Sequence, residues 1–385
     1  MITPWIGNKK VLVIPTIVTG SNLYNPPPPN WMEEINRRIY YDPHPDTGLD
    51  RSLRQYIHKI SYGKALLTAD ISDPISVPAA PDQSCRTGAA IQTHPHSHLY
   101  EFAMVIFTDG PHPCGGMAAW GGLFQFSPPR AGNILHGRTR FKMSDPVGVW
   151  AMELLHMTTG FGDLYFTNPN PGRFDEMACA CGTHPTAYTK MSMGWINSSD
   201  MPFAGNVLSQ DFLLHAIGLI QPPPPGRVSA VRISTDTPGK YFVIEARLFV
   251  DQFEKATAGA SSGIPNEGVL INEVDPSLPS PLKLITPKAL TTGQQYEIQD
   301  LGITIKVSST INGGFEVNVT SSGKKVCDSL RNQIGALNNI IRGLQEQLQN
   351  ASPAQKPGII QMIRTEQARI KNLITQMVDL GCSTV

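Results

Sequence analysis

The sequence predicts an α+β chain that ends in an antiparallel hairpin of two helices. Strand-like and helical runs alternate to about residue 200, short strand-like runs follow to about residue 320, and two amphipathic stretches close the chain. Alternating runs indicate an α/β or α+β domain, and short strands separated by turn residues indicate a β-sandwich-like domain. Because 385 residues suit two or three domains, we expect domains at 1–221, 222–322 and 323–385.

The first domain opens with an apolar run, KKVLVIPTIV (9–18), which predicts a buried strand. Residues 50–64 have helical spacing and end near Gly63, and ALLTADIS after them predicts a strand. A further buried strand is expected in LYEFAMVIFTDG (99–110), where Asp-Gly stops it, and a glycine-rich stretch follows. QPPPPG (221–226) marks the expected domain boundary.

Beyond that boundary the pattern is typical of β-structure. Turn residues separate five strand-like runs: GRVSAVRIS, KYFVIEARLFV, GVLINEV, ITIKVSS and GFEVNVTS. Several short strands at such spacing favour a sandwich.

The C-terminal region carries a coiled-coil pattern. Apolar residues recur at intervals of four or three residues: Val326, Leu330, Ile334, Leu337, Ile341, Leu344 and Leu348. After SPAQKP a second stretch repeats the pattern with Ile363, Ile370, Ile374 and Met377. An antiparallel hairpin would bring Cys327 near Cys382, so we expect a disulfide there; the alternative is two unpaired thiols in a reducing cell.

The composition excludes some partners. Lys+Arg and Asp+Glu both number 31, which gives no sign of a nucleic-acid partner, and no apolar run is long enough to span a membrane. The N-terminus lacks the pattern of a signal peptide. However, six cysteines form an even set, and with the predicted hairpin disulfide they favour an extracellular protein.

One helical stretch raises the question of catalysis. The segment GVWAMELLHM contains M-E-L-L-H at 152–156, where a zinc protease has H-E-x-x-H. In that motif the two histidines share one helix face and bind one zinc ion, and the glutamate activates the bound water. By itself this segment is better interpreted as a buried core helix.

Its neighbourhood resembles the immune inhibitor A and gametolysin-like zinc metallopeptidases of the metzincin type. In that family the helix is followed by a glycine, an Asp-Leu-Tyr-like segment, a D-x-M turn beneath the metal, and a segment of the type S-A-Y-T-K-x-x-L-G-W. The corresponding features here are Gly160, Asp163-Leu164-Tyr165, Asp175-Glu176-Met177, and Ala187-Tyr188-Thr189-Lys190 running to Gly194-Trp195.

The resemblance extends over roughly residues 9–320 and implies a metzincin-like fold for the first domain. KKVLVIPTIV resembles the family's opening strand, and SLRQYIHKISYGKALLTADI its S-V-x-x-Y-x-x-x-x-S-Y-G-K segment. YFVIEARLFVDQF with IPNEGVLINEVD resembles Y-F-L-I-E-x-R followed by G-V-L-I-x-x-V-D. LTTGQQYEIQDLGITIKV resembles L-x-x-G-x-x-Y-x-D-x-x-x-G-I-T-I, whereas the hairpin is outside the common pattern.

Two departures affect the zinc site that the resemblance implies. Met152 replaces the first histidine, and a thioether is a soft, weak ligand for zinc. Gly160 lies four residues after His156 instead of three, which shifts Asp163, the candidate third ligand. The remaining metal candidates are His156 and Asp163, Glu153 is the general base if the protein is active, and Met177 is the Met-turn residue. We expect zinc to be weakly held or absent.

Other side chains could bind metal elsewhere. His94, His96 and His98 would share a face if their stretch were a strand, which would make a metal clip, although a polar loop is the simpler interpretation. The C-x-C pair, Cys179 and Cys181, could bind a soft metal, but we expect each to pair elsewhere or stay buried. Cys85 and Cys114 flank the histidines and could bridge them.

Two functions fit these observations. The preferred one is a metalloprotease-like pseudoenzyme that binds a protein or peptide and assembles into a homo-oligomer through the hairpin. The alternative is an active extracellular zinc metalloendopeptidase with a nonstandard metal shell. Enzyme activity is therefore left open by the sequence.

Overall fold

The computed structural model describes residues 2–204, 209–235, 237–321, 324–352 and 355–379. Within these ranges the chain is a mixed α/β protein with eight α-helices, several sheets and a C-terminal pair of long helices. The helices are α1 (Trp31–Tyr40), α2 (Leu53–Ile60), α3 (Thr87–Thr93), α4 (Val147–Thr159), α5 (Glu176–Cys179), α6 (Ala187–Ser192), α7 (Lys324–Asn350) and α8 (Lys356–Asp379).

The strands are distributed over the chain up to the helical pair. They are β1 (Gly7–Thr19), β2 (Ala65–Ile71), β3 (Ile75–Pro78), β4 (Phe102–Phe107), β5 (Met117–Ala119), β6 (Gly137–Lys142), β7 (Ser209–His215), β8 (Ala230–Ser234), β9 (Tyr241–Arg247), β10 (Ala256–Thr257), β11 (Ser261–Ser262), β12 (Gly268–Val274), β13 (Leu282–Leu284), β14 (Gln295–Ile298), β15 (Ile303–Ile311) and β16 (Gly314–Ser321). The expected mixture of helices and sheets with a C-terminal helical pair is confirmed.

Two compact units make up the chain. The first comprises Met1–Phe203, Leu213–Thr292 and Thr310–Phe315, and the second comprises Ala204–Phe212, Gly293–Ser309 and Glu316–Val385. The first unit thus continues across QPPPPG, and the division into domains at 1–221, 222–322 and 323–385 stays a prediction.

A mostly parallel sheet organises the first unit. Its order is β2-β1-β4-β6-β5, and β3 also pairs with β1. The pairs β1–β2, β1–β4 and β4–β6 are parallel, whereas the edge strand β5 runs antiparallel to β6. The strands expected at 9–18, after Lys64 and within 99–110 are therefore present as β1, β2 and β4.

The parallel sheet is apolar on both faces because helices cover both. In β4, Met104 and Ile106 belong to the main apolar cluster, which α2 and α4 complete. Val105 and Phe107 point the other way, into a cluster that includes residues of α3. This double burial explains why β4 is a continuous apolar run, since alternation appears only when one face meets water.

Helix α2 is shorter than expected from residues 50–64. It begins after Ser52, whose side chain accepts a hydrogen bond from the Gln55 N–H, and it ends at Ile60. Gly63 lies in the following turn with φ +76°, a left-handed conformation that favours glycine. The helix predicted from the spacing is therefore about one turn too long at its C-terminal end.

The five β-like runs all form strands, namely β8, β9, β12, β15 and β16. An antiparallel sheet of order β13-β12-β9-β8 lies in the first unit. A second sheet, β14-β15-β16-β7, draws most of its residues from the second unit. The β-sandwich-like arrangement stays a prediction.

The C-terminal helices pack against each other in opposite directions. Cys327 and Leu330, early in α7, share an apolar cluster with Met377, late in α8. Leu337 and Leu373 line one cleft of the same pair. Cys382 lies outside the described residues, so its disulfide with Cys327 stays a prediction. No helix in the described ranges is both long and apolar enough to cross a membrane.

Candidate functional site

Helix α4 carries the questioned segment along one wall of a cleft of about 490 Å³. Met152, Glu153 and His156 line this cleft from the helix. The other walls come from β5 with Trp120, and from the segment between Gly160 and Tyr165. Most of the remaining residues of α4 are buried, so the helix is a core element that presents a few side chains to the cleft.

Gly160 ends α4 and turns the chain toward the cleft. Its φ is +68°, and its N–H donates to the carbonyl oxygen of His156 at 2.9 Å. A Cβ added here would lie 2.9 Å from the ring of Trp120. Both the backbone conformation and the close ring therefore require glycine. The turn brings Asp163 back to His156 despite the one-residue shift from the family pattern.

His156 uses both ring nitrogens within the chain. Nε2 lies 2.9 Å from Asp163 Oδ1, and Nδ1 lies 2.5 Å from the carbonyl oxygen of Phe161. A carbonyl oxygen only accepts, so Nδ1 donates there, and an imidazolium satisfies both partners. Burial opposes the charged form, but the hydrogen bonds to Asp163 and Phe161 outweigh it and raise the pKa of His156.

The two carboxylates of the cleft have different environments. Burial also disfavours the charged form of Asp163, yet its hydrogen bond with His156 lowers its pKa below the ordinary value. Burial raises the pKa of Glu153, an effect that nearby His156 opposes. Tyr165 adjoins Asp163, and burial with that contact raises the pKa of its phenol to about 12. Of the two carboxylates, only that of Asp163 is therefore held in its charged form by a specific partner, His156.

Glycine also shapes the opposite wall. A Cβ added to Gly116, just before β5, would lie 2.4 Å from the Val149 side chain and 3.2 Å from Glu153 Oε1. The strand can therefore approach α4 closely only because this residue lacks a side chain. The glycine-rich stretch is visible in the sequence, but no pattern in it predicts that β5 and Trp120 form a wall of the cleft.

The predicted Met-turn supports the segment that holds Asp163. Met177 is fully buried, and its carbonyl oxygen accepts a 2.8 Å hydrogen bond from the N–H of Leu164. Asp175 caps the turn: its carboxylate accepts from the N–H of Met177 and from the N–H and hydroxyl of Thr186, at 2.7–2.8 Å. The turn is thus fixed from within the core.

Segments that carried the family resemblance meet in one buried polar network. Lys190 of A-Y-T-K donates to the Tyr62 hydroxyl of S-Y-G-K at 2.8 Å. The N–H of Ala187 donates to Glu245 of Y-F-V-I-E-A-R at 2.6 Å, and Arg247 pairs with the same carboxylate at 3.2 Å. Burial lowers the pKa of Lys190 to about 7. These motifs are far apart along the chain, so the sequence alone does not predict that their polar residues contact each other.

The side chains of the cleft do not fit a zinc ion. Among the described residues, no group of three or more His, Cys, Asp or Glu side chains is placed to hold a metal. Met152 offers only a thioether, a weak ligand for zinc, and both nitrogens of His156 have protein partners. Zinc sites in proteins ordinarily need three nitrogen, sulfur or oxygen ligands from side chains.

The histidine-rich stretch is not a strand, so the three histidines do not share a strand face, the condition of the speculative metal clip. His94 follows the last turn of α3, and His98 lies in a 3₁₀-helix, Ser97–Leu99. The rings of His94 and His96 have centroids 6.3 Å apart and meet edge to face. Pro95 prevents regular strand pairing here.

Both cysteine pairs of the first unit form disulfides. Cys85 pairs with Cys114 across the histidine-rich stretch, a pairing that the sequence left open. Cys179 pairs with Cys181, so the expectation that each pairs elsewhere is wrong. A left-handed Ala180, with φ +52°, brings the two Cα atoms to 5.2 Å.

Comparison with models of protein families and with curated proteins finds no match for this chain. The resemblance to metzincin-type peptidases accordingly stays a prediction that rests on the order of its motifs.

Proposed function

We propose that this chain is a metalloprotease-like pseudoenzyme whose cleft binds an extended polypeptide without hydrolysing it. The observation that carries the proposal is the pairing of His156 with Asp163 at 2.9 Å. This pairing joins the two remaining ligand candidates to each other. Hydrolysis by a metallopeptidase needs a metal that polarises the carbonyl and acidifies its bound water. Glu153 alone has no such water to deprotonate.

The edge strand supports polypeptide binding. β5 ends the sheet order and runs antiparallel to β6, and an exposed edge can pair with an added extended strand. Met117, Trp120 and Tyr165 beside the cleft keep 53%, 39% and 45% of their surface exposed. Such side chains supply apolar contact area for a peptide, while backbone hydrogen bonds supply the pairing.

The test uses a permanently unfolded polypeptide, such as reduced and carboxymethylated lactalbumin. Calorimetry should detect binding, and electrophoresis after prolonged incubation should show an intact ligand. Trp120→Ala should weaken binding about ten-fold or more, because aromatic anchors carry much of a contact's energy. Phe249→Ala is the matched control, since that side chain is similarly exposed, at 37%, and does not line the cleft. Equal affinity of wild type and Trp120→Ala would contradict the proposed binding mode.

An active zinc endopeptidase is the alternative outcome of the same experiment. Cleavage that a zinc chelator abolishes, and that Glu153→Gln also abolishes, would replace the binding proposal with catalysis through a nonstandard metal shell. Chelator-resistant cleavage would indicate a contaminating protease if Glu153→Gln leaves it unchanged.

We further propose that the helical pair joins copies of the chain outside the cell. Ile340, Ile374 and Val378 remain 50%, 42% and 61% exposed on α7 and α8. Two disulfides support an oxidising environment. Removing residues 324–385 should lower the solution mass by more than the deleted segment if the pair mediates assembly. A mass that falls only by the deletion would contradict it.

A further inference from the structure

The two disulfides of the first unit differ in accessibility. Cys114 is fully buried inside the apolar cluster around α3, and its sulfur lies 3.2 Å from the hydroxyl of Tyr24. Its partner Cys85 is partly buried, as are both Cys179 and Cys181. Because exchange requires a thiolate to reach a sulfur atom, the C-x-C pair offers two reachable sulfurs and the Cys85–Cys114 pair offers one.

The two bridges also differ in what they restrain. Cys85–Cys114 closes a sequence separation of 29, whereas Cys179–Cys181 closes a separation of 2. The entropy that a bridge removes from the unfolded chain grows with the number of residues it encloses. The C-x-C bridge therefore contributes far less to the stability of the fold than the Cys85–Cys114 bridge does. A role in stabilising the fold does not explain why it is present.

The backbone around the C-x-C pair is held without the sulfur–sulfur bond. The N–H of Ala180 donates to the carbonyl oxygen of Glu176 at 2.9 Å, and the N–H of Gly182 donates to the Glu176 carboxylate at 2.6 Å. The carbonyl oxygen of Cys181 accepts from the N–H of Ser262 at 2.8 Å. These bonds keep the loop in place when the bridge opens, so the two thiols remain neighbours and can close again.

Neighbouring elements enclose the other side of this loop. A Cβ added to Gly148, in the first turn of α4, would lie 2.3 Å from the carbonyl oxygen of Ala180. A Cβ on Gly182 would lie 1.9 Å from the carbonyl oxygen of Ala260. The loop 179–182 therefore packs closely between α4 and the β10–β11 hairpin. This packing limits how far the two cysteines can separate after reduction.

We propose that Cys179 and Cys181 form a thiol–disulfide exchange site that accepts two electrons from a dithiol. One thiolate of the dithiol attacks one of the two sulfurs, which forms a mixed disulfide and releases the other cysteine as a thiolate. The second thiolate of the dithiol then attacks the mixed disulfide. The products are two cysteine thiols, which receive the two protons of the dithiol, and an oxidised cyclic disulfide. The reverse reaction regenerates the bridge.

The test reduces the folded full-length protein with dithiothreitol in non-denaturing buffer. Aliquots are quenched with acid, alkylated and digested, and mass spectrometry follows the label on each cysteine. Cys179 and Cys181 should be labelled roughly ten-fold or more faster than Cys85 and Cys114, with circular dichroism unchanged. Oxidised dithiothreitol should then restore the unlabelled state.

Equal labelling rates for both pairs, or labelling of Cys179 and Cys181 only as circular dichroism is lost, would overturn the proposal. The double variant Cys179→Ser/Cys181→Ser provides the second measurement. It should fold with the wild-type spectrum and should leave the labelling rates of Cys85 and Cys114 unchanged. A variant that fails to fold would show that the bridge is structural and would also overturn the proposal.

Discussion

Replacement of Asp163 by asparagine tests the ion pair between Asp163 and His156, on which the proposed loss of metal binding depends. Asparagine keeps the shape of the side chain but removes the negative charge opposite His156 Nε2, which lies 2.9 Å away. The pKa of His156 should fall, because the hydrogen bond and charge of Asp163 raise it against the opposing effect of burial. The variant isolates the electrostatic contribution from packing.

The magnitude follows from burial. The side chains of His156 and Asp163 are 15% and 24% exposed, so the pair is intermediate between a surface pair and a buried one. Surface pairs contribute about 0–1 kcal/mol, and breaking a buried pair costs about 3–5 kcal/mol. Asp163→Asn should therefore lower the free energy of unfolding by about 1–2 kcal/mol near pH 6.

The pH dependence has a definite sign. Because folding raises the pKa of His156, its contribution is complete below the unfolded value of about 6.5 and is lost as pH rises through the native value. Because folding lowers the pKa of Asp163, its contribution is present above about 3.9 and is lost as pH falls through its native value. The cost of Asp163→Asn should be largest between these limits and should shrink in alkaline solution.

The assay combines urea unfolding from pH 4 to 9 with an NMR titration of the His156 ring. Asp73→Asn, at an exposed position, is the control and should change neither measurement. A cost that stays constant over this range, or an unchanged His156 pKa in Asp163→Asn, would refute the reasoning.

Two further predictions concern the supports of the site. In thermal unfolding, Gly160→Ala should destabilise the fold by more than about 1 kcal/mol relative to the control Gly122→Ala. Both residues have φ +68°, but only a side chain at Gly160 would contact a ring, that of Trp120. Equal losses of stability would show that the Trp120 ring moves aside without cost. Burial lowers the pKa of Lys190 to about 7, so wild-type stability should gain up to about 1.4 kcal/mol per pH unit from this group between pH 7 and 10. Lys190→Met should remove that rise and Lys64→Met should keep it; an identical pH profile for wild type and Lys190→Met would contradict the lowered pKa of Lys190.

Sequence periodicity located the longer apolar strands of the first unit, such as β1, β2 and β4, but not the short edge strand β5. Buried parallel strands such as β4 appear as continuous apolar runs because both faces are covered. The end of α2 was placed too late because the apolar spacing continues into a turn that Gly63 and its left-handed backbone create. Periodicity records burial, and it does not record where backbone hydrogen bonding stops.

The candidate site was predictable only in part. The spacing of Glu153 and His156 placed them together on α4, since helical geometry fixes neighbours along one chain segment. The walls formed by β5 and Trp120 depend on how distant segments pack, so the sequence did not reveal them. The C-x-C disulfide was missed for a similar reason, because its closure requires a left-handed Ala180, a conformation uncommon for residues other than glycine.

Whether the cleft binds zinc decides between a pseudoenzyme and an active peptidase. The most direct test is elemental analysis of the full-length protein after equilibration with zinc and removal of unbound metal. We expect a zinc-to-protein ratio far below one, and the same value for His156→Ala. A ratio near one that His156→Ala abolishes would contradict it and would show that the cleft still holds a metal.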